Sequence, residues 1–324
     1  MKNKITIAYA PDDKYLNQTI VSMTGAVANN PHIDFVILYN SLSDENLFKL
    51  ENFQSKTQSR IRMVKIDPSE FDGFPMSGWV TKEAWFRVKL PDLCPDLDRI
   101  LYLDCDTLVC GDLSELWQTN LDGNFLGAVE DVWDVQKHVK RLSLTQNTYF
   151  NSGMILFNCD YCRENNFFEL IKSYALSTEQ EIKFCDQDVL NVVTDGKKVI
   201  LHPKFNYLNT WWRNFYYEYI GKTEEEYIEA GKNPVIIHYT GLKPCFKGCM
   251  HPLKELWWKY AEQSIVFDEL KSTYENSLPP KQTRFSQKLF SIKNEFSHKR
   301  KIKILTLLGI KIPLSGNLYR QMKN

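Results

Sequence analysis

The chain has 324 residues, which is long enough for one large α/β domain with an appendage. Its formal net charge is zero, but residues 281–324 carry 11 of the 40 basic residues and only one of the 40 acidic residues, Glu295. An acidic body with a basic tail argues against a general nucleic-acid-binding protein, whose basic residues would lie on the folded surface. With no secretory signal and no apolar run of spanning length, we expect a cytoplasmic protein with reduced thiols.

The first part of the chain alternates between strand and helix patterns. The predicted strands are Ile5–Ala10, His32–Tyr39 and Arg60–Ile66, and the predicted helices contain residues 18–27 and 43–53. This alternation is typical of a doubly wound α/β fold with a mostly parallel sheet.

Two carboxylates, Asp12 and Asp13, stand where the first strand leads into the first helix. Such a junction can bind a nucleotide through backbone donors and carboxylates, but the same side chains can simply cap the helix. The sequence leaves both interpretations open. It contains no G-x-G-x-x-G and no P-loop pattern, which argues against dinucleotide binding and P-loop chemistry.

Arg87 lies in a predicted helix among the core-type residues Trp85, Phe86 and Val88. A cation in such surroundings needs an anionic partner. Phosphate is one candidate for that partner.

The stretch Arg99–Asp112 begins with a continuous apolar run, which predicts a central strand covered on both faces of a parallel sheet. Asp104 and Asp106 follow. Because residues two apart in an extended chain point to the same side, we expect both carboxylates to face one spot at the carboxyl edge of the sheet. The pair favours a hard divalent cation, although both residues could instead begin a turn and cap the next element.

Later polar residues lie where apolar surroundings demand hydrogen-bond partners. They are Asp131 after the predicted strand Phe125–Val129, Asn151 to Gly153 within the apolar run Tyr149–Asn158, and Asp186 to Asp188 in the first turn of a predicted helix. Capping explains the acids of that helix, but it explains Gln187 less readily.

A late predicted strand, Val235–Tyr239, delivers His238, and Gly241 and Lys243 follow it. A lone histidine is usually structural, but the following turn and lysine suit a metal ligand beside a phosphate-binding cation. The preceding segment 205–219, rich in Trp and Tyr, could form core, a sugar-stacking lid or a partner surface, and core is favoured.

The tail places Phe285, Leu289, Ile292 and Phe296 on one helical face with basic residues around them. We therefore predict a folded domain at residues 1–280 and a basic tail at 281–324 that binds an anionic membrane surface. A carboxyl-terminal helix packed on the acidic body is the alternative.

Five segments follow one another along the chain in this order: Ala-Pro-Asp-Asp-Lys-Tyr, Asp-Arg-Ile-Leu-Tyr-Leu-Asp-Cys-Asp-Thr-Leu-Val, Tyr-Phe-Asn-Ser-Gly, Asp-Gln-Asp-Val-Leu-Asn and His-Tyr-Thr-Gly-Leu-Lys-Pro. Together they resemble glycosyltransferase family 8, the retaining sugar-nucleotide-dependent transferases, over residues 4–260. The resemblance implies a GT-A fold, which is a Rossmann-like mixed, mostly parallel sheet flanked by helices. It also implies transfer of a hexose, glucose or galactose, from a UDP-sugar to a cell-envelope glycan or glycolipid such as lipopolysaccharide.

The resemblance further implies residue roles. Mn²⁺ or Mg²⁺ would be held by Asp104, Asp106 and His238. The nucleotide donor would be bound by Ala10, Asp12, Arg87, Asp104, Cys105, Asn151, Gly241 and Lys243. Asp186 would contact the donor sugar, Gln187 would lie on the reacting face of the anomeric carbon, and Asp131 would lie near the acceptor. Because glutamine is a poor nucleophile, the expected reaction is same-face attack by the acceptor.

Two other functions remain open on the sequence. One is a metal-dependent sugar nucleotidyltransferase, which would be expected to carry a glycine-rich basic loop after the first strand. The other is a non-catalytic sugar-nucleotide-binding protein, for which the full set of charged site residues would have little physical use. The leading interpretation places the enzyme in the cytoplasm, peripheral at the inner face of the plasma membrane.

Overall fold

The computed structural model describes residues 4–77, 81–132, 134–208 and 224–278, together with strands within 290–314. The chain divides into two compact units, one of residues 1–245 and 249–275 and the other of residues 246–248 and 276–324. The sequence-based boundary at residue 280 stays a prediction. Within the described ranges, none of the helices combines the length and the apolar character needed to cross a membrane.

The strands of the larger unit form two sheets. They are β1 (Ile5–Tyr9), β2 (Ile33–Tyr39), β3 (Ile61–Lys65), β4 (Arg99–Leu103), β5 (Thr107–Val109), β6 (Leu126–Glu130), β7 (Phe150–Asn158), β8 (Lys198–Leu201), β9 (Tyr207–Leu208) and β10 (Ile236–His238). The main sheet has the order β3-β2-β1-β4-β7-β6-β8. Only β7 runs against its neighbours β4 and β6, and the other described pairs are parallel. The predicted mixed, mostly parallel sheet is confirmed.

Helices flank this sheet. They are α1 (Leu16–Asn29), α2 (Asp44–Thr57), α3 (Glu83–Phe86), α4 (Leu90–Leu93), α5 (Ser114–Trp117), α6 (Val135–Leu142), α7 (Cys159–Glu164), α8 (Phe167–Ser177), α9 (Cys185–Val193), α10 (Glu224–Lys232), α11 (Lys254–Ala261) and α12 (Phe267–Asn276). Short 3₁₀ turns occupy Pro68–Phe71, Arg87–Lys89 and Pro203–Phe205.

The apolar runs of the sequence explain the centre of the sheet. All five residues of β1 are buried, and so are the four that follow Arg99 in β4. These strands have helices over both faces, so no polar alternation is needed. The position of β4 between β1 and β7 confirms the predicted central strand.

Helix boundaries follow local capping chemistry. The helix predicted for residues 43–53 runs from Asp44 to Thr57, and Ser43 is its cap because its hydroxyl accepts a hydrogen bond from the Asn46 amide at 3.4 Å. The helix continues past Phe53 until Gln58 takes a left-handed φ of 59°. The prediction was short at the carboxyl end because the polar last turn carries no apolar periodicity.

The second sheet has the order β5-β10-β9. It places β10, which comes late in the sequence, beside β5, which follows the central strand β4. Strand β10 runs antiparallel to β5, with His238 opposite Thr107, and parallel to β9. The predicted strand around His238 is confirmed, and its register places that histidine beside the residues that follow β4.

The smaller unit contains three antiparallel strands, β11 (Phe290–Ser297), β12 (Arg300–Leu307) and β13 (Ile310–Leu314). The helical face predicted for the tail is therefore wrong for Ile292 and Phe296, which lie in β11, while Phe285 and Leu289 lie outside the described residues. Isoleucine alternates with lysine in both β12 and β13. This two-residue period and the branched side chains favour strands over a helix.

Candidate active site

A cavity of about 700 Å³ opens at the carboxyl ends of β1 and β4. This is the edge at which open α/β sheets bind ligands. Eight residues singled out in the sequence line it: Ala10, Asp12, Arg87, Asp104, Cys105, Asp106, Asp186 and Gln187. The lining also includes side chains to which the sequence assigned no site role, among them Tyr102, Lys183 and Phe184.

Asp104 and Asp106 come together through a turn, so the predicted extended geometry is wrong. The backbone amide and the hydroxyl of Thr107 both donate to the carbonyl of Asp104, at 3.1 and 2.8 Å. This turn connects β4 to β5, as the alternative interpretation of the two acids allowed. It nevertheless leaves both carboxylates at the cavity.

His238 completes a group of three metal-type ligands with these acids. Its Nε2 atom lies 3.1 Å from Asp106 Oδ1 and 3.8 Å from Asp104 Oδ2. The three ligand atoms lie within 4.8 Å of one another, and no other such group occurs among the described residues. Two carboxylates and an imidazole suit a divalent cation such as Mn²⁺ or Mg²⁺.

Gly153 leaves the space that this group occupies. A Cβ atom at position 153 would lie 2.2 Å from His238 Cε1 and 2.8 Å from Asp104 Oδ2. Both distances are too short for non-bonded atoms, so the Cβ atom would clash with both side chains. Any larger residue would therefore displace two of the three ligands. The close backbone approach expected from the sequence serves the ligand cluster.

Arg87 is a buried cation with two carboxylate partners. Its guanidinium lies 3.0 Å from Asp104 Oδ1 and 3.3 Å from Asp186 Oδ2, and it stacks over the ring of Tyr102 at 4.4 Å. Burial lowers the pKa of Arg87, but the two carboxylates raise it further, so the group stays charged. The anionic partner expected for Arg87 is thus supplied by the protein itself.

Lys243 plays a similar part beside Asp106. Its ammonium donates to Asp106 Oδ2 and, at 3.2 Å, to the carbonyl of Tyr239. Burial would raise the pKa of Asp106, but His238 and Lys243 hold it below its ordinary value. Gly241 has a left-handed φ of 81° in the turn that returns Lys243 toward the acid.

Gln187 is held by hydrogen bonds on both sides of its amide. Its Nε2 donates to Asp131 Oδ2 at 2.9 Å, and its Oε1 accepts from the backbone amide of Ser152 at 3.0 Å and from Asn151 Nδ2 at 3.2 Å. Asp188, one residue later, has a fully buried side chain that accepts from the backbone amides of Lys183 and Phe184 at 2.7 and 3.1 Å. Capping therefore accounts for Asp188, while Gln187 faces the cavity.

The two acids after β1 have separate environments. Asp12 lines the cavity and also accepts from the amides of Lys14 and Tyr15 at 3.0 and 2.9 Å, so it stabilises the turn before α1 and does not cap the helix itself. Asp13 instead accepts from the amide of Ser43 at 2.9 Å and holds the start of α2. Burial raises the pKa of the Cys105 thiol to about 12, so this cavity residue is a neutral thiol.

Four of the remaining predicted residues do not line the cavity themselves but contact residues that do. Asp131 and Asn151 contact Gln187, and His238 and Lys243 contact Asp106. Gly241 does not appear among the cavity-lining residues of the described chain. Trp211 and Trp212, in the aromatic segment, lie outside the described residues.

Two residues that contact the candidate metal ligands escaped the sequence analysis. Tyr102 donates its hydroxyl to Asp104 Oδ1 at 3.0 Å, and its signal was a polar group inside an aliphatic strand. Asn206 is 1% exposed and bonds to His238 Nδ1 at 3.1 Å. No pattern distinguishes Asn206 from other asparagines near it.

Asp186 gives a testable pH dependence. Burial raises its pKa to about 6 from 3.8, with Arg87 opposing and Asp104 adding to the rise. A carboxyl of this kind takes up a proton on folding, so its contribution to stability is lost as the pH rises from about 4 through about 6. The free energy of unfolding of the wild type, compared with Asp186→Asn, should therefore fall by about 2 kcal/mol between about pH 4 and pH 7.

Urea unfolding at each pH measures this difference, and the exposed acid Asp122 supplies the control Asp122→Asn. The control should keep the pH dependence of the wild type. Parallel curves for Asp186→Asn and the wild type would contradict the assignment.

The chain is similar in sequence to a known protein family and to several known proteins. The family model described as glycosyl transferase family 8 matches residues 6–247. A lipopolysaccharide 1,2-glucosyltransferase of Escherichia coli strain K12 is 32% identical over 256 residues, covering 76% of this chain and 75% of that protein. General stress protein A of Bacillus subtilis strain 168 is 26% identical over 263 residues, covering 78% and 92%.

Solved structures agree as well. The galactosyltransferase LgtC, in complex with donor and acceptor sugar analogs, matches 83% of this chain and 100% of its own with a TM-score of 0.73 at 25% identity. The order of the strands, the acidic turn after β4 and the extent of the family match lead to one conclusion. This chain belongs to glycosyltransferase family 8 and has the GT-A fold.

Proposed function

We propose that this protein is a divalent-cation-dependent, retaining hexosyltransferase that moves glucose or galactose from a UDP-sugar to a cell-envelope glycan such as lipopolysaccharide. The observation that carries the proposal is the cluster of Asp104, Asp106 and His238 beside the buried cations Arg87 and Lys243. The name of the Escherichia coli relative and the sugar analogs bound to LgtC support the acceptor and donor classes.

The charges of the cavity suit a nucleoside diphosphate. Asp104, Asp106 and His238 would hold Mn²⁺ or Mg²⁺, which supplies positive charge to the leaving diphosphate. Arg87 and Lys243 remain protonated because neighbouring carboxylates raise the pKa of each against the effect of burial. Both can therefore neutralise phosphate oxygens at this cavity.

The sugar would lie between the diphosphate and Gln187. Asp186, held by Arg87, would orient sugar hydroxyls, and Gln187 would form the wall under the anomeric carbon. The Gln187 amide is already bonded to Asp131, Asn151 and the amide of Ser152, so it has a fixed position and little nucleophilic character. Attack by the acceptor on the face that the diphosphate leaves would then retain the anomeric configuration.

The metal site gives the first test of this function. With Mn²⁺ and a panel of UDP-sugars, Asp104→Asn should lower UDP release by about 100-fold or more, because it removes a ligand and a charge at the leaving group. The exposed Asp122→Asn is the matched control and should turn over like the wild type. Full wild-type activity in excess chelator, or no UDP release from any UDP-sugar, would exclude the proposed function.

Gln187 gives the second test. Removing hydrogen bonds worth about 1.5–3 kcal/mol should slow Gln187→Ala by about 10- to 100-fold without abolishing turnover. The product should keep the anomeric configuration of the donor, which proton NMR couplings report. Gln263→Ala, at an exposed position in the turn after α11, is the control. An inverted product would rule out the retaining mechanism.

We also propose that the smaller unit binds an anionic membrane surface and keeps the enzyme peripheral at the inner face of the plasma membrane. Residues 281–324 have an excess of ten positive charges, and the three-stranded sheet pairs Ile292 with Leu305 and Leu305 with Ile312. Basic residues and apolar residues in one segment are the two features that hold peripheral proteins at acidic lipids.

Vesicle sedimentation of the full chain tests the membrane proposal. Each lysine near an anionic leaflet contributes about 1 kcal/mol, so replacing Lys293, Lys301, Lys303 and Lys311 by Gln should lower affinity for anionic vesicles by at least about tenfold. Four exposed lysines of the larger unit, Lys56, Lys137, Lys232 and Lys271, supply the matched Gln control. Equal losses in both variants, or no loss in the first, would overturn the proposal.

A further inference from the structure

A chain of side-chain amides joins the candidate metal ligand His238 to Asp131. His238 Nδ1 lies 3.1 Å from Asn206 Oδ1, and Asn206 Nδ2 donates to Asn151 Oδ1 at 3.0 Å. Asn151 Nδ2 donates to Gln187 Oε1 at 3.2 Å, and Gln187 Nε2 donates to Asp131 Oδ2 at 2.9 Å. Every amide in this chain accepts from one neighbour and donates to the next.

The direction of the hydrogen bonds in this series of amides is fixed by backbone N–H groups, which can only donate. The backbone amide of Ser152 can only donate, and it points at Gln187 Oε1 at 3.0 Å. The backbone amide of Gly153 likewise donates to Asn151 Oδ1 at 3.1 Å. The atoms of Gln187 and Asn151 that face these donors must therefore be oxygens, and the nitrogens must face the other way.

This direction determines the role of Asn206. Because Asn151 presents its oxygen, Asn206 must turn its nitrogen toward Asn151 and its oxygen toward His238. An amide oxygen only accepts hydrogen bonds, so the Nδ1 atom of His238 must carry the proton that it donates to Asn206 Oδ1. Nε2 of the imidazole then faces Asp104 and Asp106 in the cavity, and it is the nitrogen whose lone pair a bound cation would take.

We propose that Asn206 is a positioning residue that holds the proton of His238 on Nδ1 and so prepares Nε2 to bind the divalent cation. The inference rests on the proposed function, because it concerns the cation assigned to that site. Asn206 is 1% exposed, and it has no place among the residues that line the cavity, so it acts through His238. Hydrogen-bond partners of this kind raise the affinity of a histidine ligand and fix its ring.

Binding of Mn²⁺ to the full-length protein, measured from the electron paramagnetic resonance signal of the free ion, tests the inference without reference to turnover. Asn206→Leu should weaken Mn²⁺ binding about 10- to 100-fold. Asn206→Asp keeps an acceptor for Nδ1 and should bind Mn²⁺ within about threefold of the wild type or more tightly. Asn206→Ala repeats the test if the leucine variant does not fold.

Asn158→Leu is the matched control, because Asn158 lies at the opposite end of β7 and bonds there to the carbonyl of Leu121 at 3.0 Å. It should leave Mn²⁺ affinity unchanged. Wild-type affinity in Asn206→Leu, equal losses in Asn206→Leu and Asn158→Leu, or an aspartate variant as weak as the leucine variant would each overturn the inference while leaving the proposed function standing. A wild type that binds no Mn²⁺ would instead remove the metal site and the inference with it.

Discussion

The structure of the site depends on the balance of charge around Arg87. Its guanidinium lies between Asp104, on the turn after β4, and Asp186, at the start of α9. Without that cation the two carboxylates would repel each other, and removing one partner of a buried ion pair such as Arg87 and Asp186 is costly. Arg87 also donates to the carbonyl of Ser152, so one side chain ties a helix, a turn and β7 together at the sheet edge.

The reversed direction of β7 determines which atoms reach that edge. In a strand parallel to β4, the carboxyl end would lie at the cavity. Because β7 is antiparallel, its first residues lie there instead, and Asn151, Ser152 and Gly153 supply an amide, backbone groups and an empty Cβ position. The Gly153 carbonyl also accepts from the amide of Asp104 at 2.8 Å, which places the acidic turn directly against this segment.

Much of this arrangement could be predicted because strand ends carry local signals. The apolar run before Asp104 identified the central strand, and the late apolar run placed His238 at the end of another strand. Arg87 and Gln187 stood out as polar residues in predicted helices, and only the resemblance to the family implied that all of them meet at one site. The turn that joins Asp104 to Thr107 could not be predicted, because two acids after a strand fit an extended chain equally well. The tail was misassigned because the spacing of Ile292 and Phe296 fits one helical face and also one face of a strand.

Other features lie beyond local pattern altogether. The pairing of β10 with β5 and the contact between Asn206 and His238 depend on which distant segments meet, and periodicity along the chain contains no such information. Asn206 in particular is distinguished only by its neighbours in space.

The antiparallel pairing of β5 with β10 sets the order in which a newly synthesised chain can acquire its site. The ribosome completes Arg87, the acidic turn and Asn151 well before it reaches His238 and Lys243, which are the partners of Asp106. Until β10 has emerged and closed that long loop, the emerging domain lacks one candidate ligand and one cation. A nascent chain stalled before residue 236 would hold an unbalanced acid at the sheet edge, so the site is completed only once Lys243 has been added.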